Sequence, residues 1–166
     1  MTQLDKALIE RECRLIKDFP IEHAVVIRNG KTINHLVGDS YGIDIPDRIK
    51  KYMKNSHFIH NHPTNDLSFE YCSCPYLSEV DINTSINLKI KSITSISTEG
   101  WICTFFPNEN IKIMENWSVN DVLDVACKKY DNDFEKSYKF LANFQKKQLI
   151  KFIKKTKHEL YIWRLK

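Results

Sequence analysis

Along the first sixteen residues, apolar positions Leu4, Leu8, Cys13, Leu15 and Ile16 recur among charges, the pattern of an amphipathic helix. Thr2 followed by Asp5 three residues on is a capping signal, so a helix is predicted over 2–17, ending before Pro20. The period then shortens. Ala24-Val25-Val26-Ile27 and Lys31–Val37 are two β-rich runs around Asn29-Gly30, which predicts a hairpin. Gly38 and Gly42 bracket a loop, Ile43-Asp44-Ile45 reads as a short strand, and Pro46 opens a short helix over Asp47–Lys54. Ser56–His60 reads as a buried strand and His62–Cys74 as a polar loop.

Pro75 suits the first turn of a helix running to about Leu88. Strands are predicted around Ile90–Ile96, over Trp101–Phe106 and over Asn110–Met114. Ser118 with Asp121 starts a helix to about Tyr130. Beyond Asp133, apolar positions 134, 138, 141, 149, 152, 153 and 160 keep a helical period with lysines on the other faces, predicting a helix to about Trp163. The order predicts an α/β sandwich with a mixed sheet over residues 1–116, followed by a basic amphipathic helical extension over 117–166.

Composition narrows the class. The 166 residues are 42% hydrophobic and 28% charged, with only four glycines and five prolines, which excludes collagen-like and low-complexity chains. No apolar run approaches the roughly 18 residues of a membrane span. The charged N-terminus does not read as a signal peptide, so a soluble, cytoplasmic protein is expected. An odd cysteine count, five, argues against a disulfide framework. Net charge is +4, but Lys128–Lys166 holds twelve Lys/Arg against four Asp/Glu, so the preceding residues are net acidic. The basic character belongs to the C-terminal segment.

The candidate chemistry lies in Phe58-Ile59-His60-Asn61-His62-Pro63. Histidines at i and i+2 of a strand point to the same side, about 6.5–7 Å apart at Cα, which suits two imidazoles converging on one metal ion. They end an apolar strand, and Pro63 turns the chain. His57, an odd number of residues from His60, faces the opposite side. A Cys₂His₂ site with Cys72 and Cys74 is an alternative, although the spacing is unusual for a zinc finger.

Glu22, then His60-Asn61-His62-Pro63, then a Ser-x-x-Asp resembles the pattern of the JAMM/MPN (JAB domain) metalloproteases, most closely their RadC-like and phage or prokaryotic branches. The likeness covers about residues 20–110. It implies a JAB-domain, cytidine-deaminase-like α/β sandwich and a zinc ion on two histidines and an aspartate. It also implies a glutamate general base and a serine that stabilises the oxyanion. His60 and His62 take the histidine roles, and Glu22 fits the glutamate in order and position.

The Ser-x-x-Asp has two candidates. Ser78-Glu79-Val80-Asp81 has the right letters but lies late, with Asp81 nineteen residues after His62. Ser68-Phe69-Glu70-Tyr71 is nearer the family spacing but has Tyr71 in place of the aspartate, leaving Asp66, Cys72 or Cys74 as substitutes. A helix from Ser68 would carry Pro75 inside it at a cost of about 3 kcal/mol. A helix from near Pro75 places Ser78 and Asp81 one turn apart on one face. Ser78 and Asp81 are therefore preferred.

The resemblance predicts a zinc-dependent hydrolase of a peptide or isopeptide bond, acting on a protein or peptide such as a conjugate of a ubiquitin-like modifier. A degenerate JAB domain that only binds a protein partner is one alternative. A RadC-like nucleic-acid-associated protein using the basic extension is another. The aromatics between residues 134 and 163 also offer a partner or dimer contact.

Overall fold

A computed structural model of the chain describes residues 1–39, 42–63, 76–109, 112–115 and 119–166. Helix α1 (Gln3–Ile16) starts at Thr2, whose hydroxyl accepts from Asp5 N–H while the Asp5 carboxylate accepts from Thr2 N–H. Strands β1 (His23–Arg28) and β2 (Lys31–Val37) follow. Asn29 and Gly30 both have positive φ, 51° and 74°, the geometry that a two-residue hairpin turn needs to match strand twist. Next come α2 (Asp47–Met53), β3 (His57–His62), α3 (Glu79–Asn87), β4 (Ser92–Ser97) and β5 (Trp101–Phe106). The chain closes with α4 (Val119–Lys129), α5 (Phe134–Thr156) and β6 (Glu159–Arg164).

These six strands form one mixed sheet in the order β2-β1-β3-β4-β5-β6. Among the described strands, β3 and β4 form the parallel pair, joined across α3. Helix α1 covers one face, packing Ile9, Cys13 and Ile16 on Val25, Ile27, Ile59, Ile96 and Ile102. On the other face, Met53 of α2, Ile82 and Ile86 of α3 and Leu149 and Phe152 of α5 close over Ala24, Val26, Phe58, Ile93 and Phe105. The central strands are buried on both sides and so read as continuous apolar runs. No helix among the described residues is long and apolar enough to cross a membrane.

Three predicted elements differ. Ile43-Asp44-Ile45 forms no strand; Ile43 and Ile45 instead pack on the core. Lys112–Glu115 likewise forms no strand. The free edge of β5 pairs with β6, and both backbone groups of Met114 bond to the side-chain amide of Asn83 on α3, at 2.7 and 3.1 Å. Asn110 and Ile111 lie outside the described residues.

The predicted helix to Trp163 stops at Thr156, where Lys157 takes a left-handed cap at φ 60°. Residues 159–164 then pair with β5, so the segment read as a helical extension contributes a strand to the sheet. Leu160, expected at a helical position, packs on the core from β6. The aromatics read as a partner contact are partly used internally: Phe152 meets Phe105, Tyr161 meets Phe106 edge-on, and Trp163 Nε1 donates to Glu10.

A buried network ties α1 to the sheet. Asp5 accepts from Lys91 Nζ at 2.7 Å and lies 3.3 Å from His57 Nε2, while His57 Nδ1 meets Ser92 Oγ at 2.6 Å. His57 thus lies on the α1 face, opposite His60. With Ser92 fully buried, this Ser-His-Asp chain offers no nucleophile to a substrate and works as a clasp. Burial pushes the Asp5 carboxyl up, but the bonds from Lys91 and Thr2 outweigh it and hold the pKa at about 2. That stabilisation is complete above the unfolded value near 3.8 and is lost as pH falls through about 2. Asp5→Ala is expected to cost about 1–2 kcal/mol at pH 7, discounted because Lys91 is half exposed. In urea melts, the gap to the unmodified protein should narrow from pH 5 toward pH 2.5.

Candidate metal centre

His60 and His62 stand on the same face at the C-terminal end of β3, as their spacing predicts. Their Nε2 atoms are 3.0 Å apart. Parallel pairing of β3 with β4 requires a crossover, and that crossover ends in α3, whose first turn brings Asp81 over the strand end. Asp81 Oδ1 lies 3.4 Å from His60 Nε2. One ligand atom from each of His60, His62 and Asp81 falls within 4.8 Å of the others. Bonds of about 2.0–2.1 Å in a tetrahedral site imply edges of about 3.3 Å, so the two short edges match a single small divalent ion.

The cap of α3 orients Asp81. Ser78 is the N-cap, its Oγ accepting from Asp81 N–H at 3.1 Å. Ser78 N–H and O–H both donate to Asp81 Oδ2 at 2.8 Å, leaving Oδ1 toward the histidines. The helix starts after Ser78, later than the expected start at Pro75. Pro75 lies outside the described residues, as do Asp66, Ser68, Tyr71, Cys72 and Cys74 of the competing arrangements.

Protonation favours a cation. Burial lowers the His60 pKa, and His62 adds to this against the pull of Asp81. His60 is therefore neutral at pH 7, with a lone pair free to bind. Its Nδ1 is buried beside the Thr94 backbone without closing a hydrogen bond of full geometry. A metal on Nε2 would fix the tautomer that puts the Nδ1 proton toward that acceptor. Burial raises Asp81, but His60, His62 and the two Ser78 bonds outweigh it and hold the carboxyl below its usual value, so it is ionised. Two imidazole nitrogens and one carboxylate oxygen are a donor set that fits a zinc-like ion.

Glu22 immediately precedes β1. Ala24 pairs with His60 at the end of the β1–β3 ladder, and the Glu22 carboxyl, two residues earlier, lies close enough to His62 and Asp81 for their charges to act on it. The backbone there is fixed by Glu22 N–H to Asp39 O and Gly38 N–H to Glu22 O. Position 38 must be glycine, because a Cβ would fall 2.1 Å from the Gly42 oxygen. Burial chiefly, with the charges of Asp81 and Asp39 against that of His62, pushes the Glu22 carboxyl up to about 7.

No family model and no curated protein matches the chain.

Asn61 carries a role that the sequence did not announce. It is fully buried and faces away from the histidines. Its Nδ2 donates to the carbonyls of Phe19 and Ile21, both at 3.1 Å, and its Oδ1 accepts from His23 N–H. One side chain thus ties the lead into β1 to β3 and sets where Glu22 sits. Its position between two like-facing histidines was the available signal, since parity sends it to the other face. Glu79 was missed too: it is buried, with Oε2 unpartnered among the described residues and its carboxyl pushed up by burial. His23 and His35 meet at 3.0 Å, but His23 follows the α1 face and is no third ligand.

The raised Glu22 pKa sets a stability prediction. The folded, metal-free chain holds this proton to about pH 7 and the unfolded chain only to about 4.5, so Glu22 lowers stability as pH rises between them. Glu22→Gln removes that slope. In chelator-treated protein, the variant should gain on the unmodified chain by roughly 1–2 kcal/mol from pH 4.5 to 7.5, discounted for partial exposure. Denaturant melts at a series of pH values check this.

Proposed function

We propose that the chain is a zinc-dependent hydrolase of the JAB-domain type that cuts a peptide or isopeptide bond. The observation that carries this is the convergence of His60 Nε2, His62 Nε2 and Asp81 Oδ1, with the partly buried carboxyl of Glu22 near them. A mixed sheet with helices on both faces is compatible with the α/β sandwich that the Glu22 and His-Asn-His-Pro resemblance implies.

A zinc ion held by His60, His62 and Asp81 would supply Lewis-acid polarisation of a carbonyl and a water acidic enough to ionise near neutral pH. The side chains handle the protons. Burial makes the Glu22 carboxylate a better proton acceptor than a free one, so it is the group placed to take a proton at one oxygen and return it to the leaving amine. Ser78 has a single hydroxyl hydrogen, which it donates to Asp81 Oδ2. Because Ser78 N–H also holds Oδ2, the hydroxyl can turn to a developing oxyanion without releasing the carboxylate.

The test uses the full chain loaded with zinc, a metal assay and a quenched-fluorescent peptide library that includes lysine-branched isopeptides. One zinc per chain is expected, with hydrolysis that a chelator abolishes and added zinc restores. Failure to retain zinc at micromolar free metal overturns the proposal.

A further inference from the structure

Helix α5 carries seven lysines and one acid, Glu135, which pairs with Lys139 in the first turns. Lys147, Lys151 and Lys155 follow one another at i, i+4 spacing on exposed positions. The residues three and four places from Lys151 within the helix are Lys147, Gln148, Lys154 and Lys155, so no acid answers it there. Like charges at this spacing repel, and a solvated helix face ordinarily alternates them with acids.

This stripe borders a groove. The segment Lys112–Glu115, pinned to α3 through Asn83, runs beside the last turns of α5 and leaves a space of about 420 Å³. Met114 and Phe152 form its floor, and Ile113 at its lip is 60% exposed. Lys112, Lys151 and Lys155 line it against one carboxylate, Glu115. The volume lies in the range of ligand pockets, with an apolar base and a few charged groups around it.

We propose that this groove docks a peptide segment of a partner protein in which apolar side chains alternate with carboxylates. An apolar side chain covers Ile113, Met114 and Phe152, and flanking carboxylates meet Lys151 and Lys155, relieving the repulsion along the stripe. A phosphate backbone would satisfy the lysines but leave the floor uncovered, so an acidic peptide fits both features. Glu115 disfavours a carboxylate directly over it, which places the acids of the ligand on the α5 side.

The test is a titration of the full-length chain with an acetylated, fluorescein-tagged pentapeptide alternating aspartate with leucine and phenylalanine. It is followed by anisotropy and by amide NMR shifts. Saturable binding is expected, with shifts at Met114, Lys151 and Lys155. A peptide of equal charge with serine at the apolar positions should bind at least tenfold more weakly. Lys151→Glu should weaken binding at least tenfold. That substitution places an acid four residues from both Lys147 and Lys155, so the helix is expected to keep or gain stability, which a thermal melt checks. Equal affinity for the serine peptide overturns the proposal, as does unchanged affinity in Lys151→Glu. Displacement of the peptide by a thymidine oligonucleotide at lower concentration would also overturn it, in favour of a nucleic-acid site. Binding is read without turnover, so the outcome does not depend on the metal centre.

Discussion

Zinc binding is expected to fall by more than about 100-fold in His60→Ala and in Asp81→Asn. Three protein donors converge on the ion, and the loss of any one leaves two. His60 is central, since its Nε2 makes both short edges, 3.0 Å to His62 and 3.4 Å to Asp81. Its removal also opens a hole in a buried position, so a loss of metal alone would not separate ligation from folding. Asp81→Asn supplies that separation. The amide oxygen can keep the Ser78 N–H and O–H bonds that cap α3, while the charge facing the histidines is gone. Competition against a chromophoric chelator gives the affinity, and circular dichroism reports the fold. Affinity unchanged in a folded Asp81→Asn protein would remove Asp81 from the ligand set.

Glu22→Gln is expected to retain one zinc per chain and to lose hydrolysis by about 10²–10⁴-fold, the range for removing a general base. Glu22 is not among the three atoms that converge on the ion, so the metal should stay. Glutamine keeps the shape and the backbone bonds to Gly38 and Asp39 but cannot carry the proton. Metal analysis beside initial rates on the same peptide library separates the two effects. A fully active Glu22→Gln protein would place the base elsewhere.

Much of this site was legible because it depends on local rules. Strand parity sent His60 and His62 to one face and His57 to the other. The Ser78/Asp81 capping box was legible as a one-turn spacing, although the helix begins after Ser78 and not at Pro75. Glu22 stood out only through the resemblance, since its approach to His62, forty positions away, comes from how the strands assemble. The role of Asn61 was not, because its partners, Phe19, Ile21 and His23, lie about forty positions away in the chain.

Neighbouring residues were enough to specify the elements whose signals are local: the capped first helix, the Asn29-Gly30 hairpin, the buried third and fifth strands and the facing of the histidine pair. Which edges of the sheet stayed open was settled only when the strands assembled. β-rich letters at Ile43–Ile45 turned their isoleucines to the core without joining the sheet, while Glu159–Arg164, lettered at a helical period, found a free edge on β5. Assembly also returned Asp81, nineteen residues beyond His62, to the end of β3. A strand needs a partner with unpaired backbone groups, and a metal centre needs donors from separate elements. Both are satisfied only by contacts distant in the chain, which no window of neighbouring residues records.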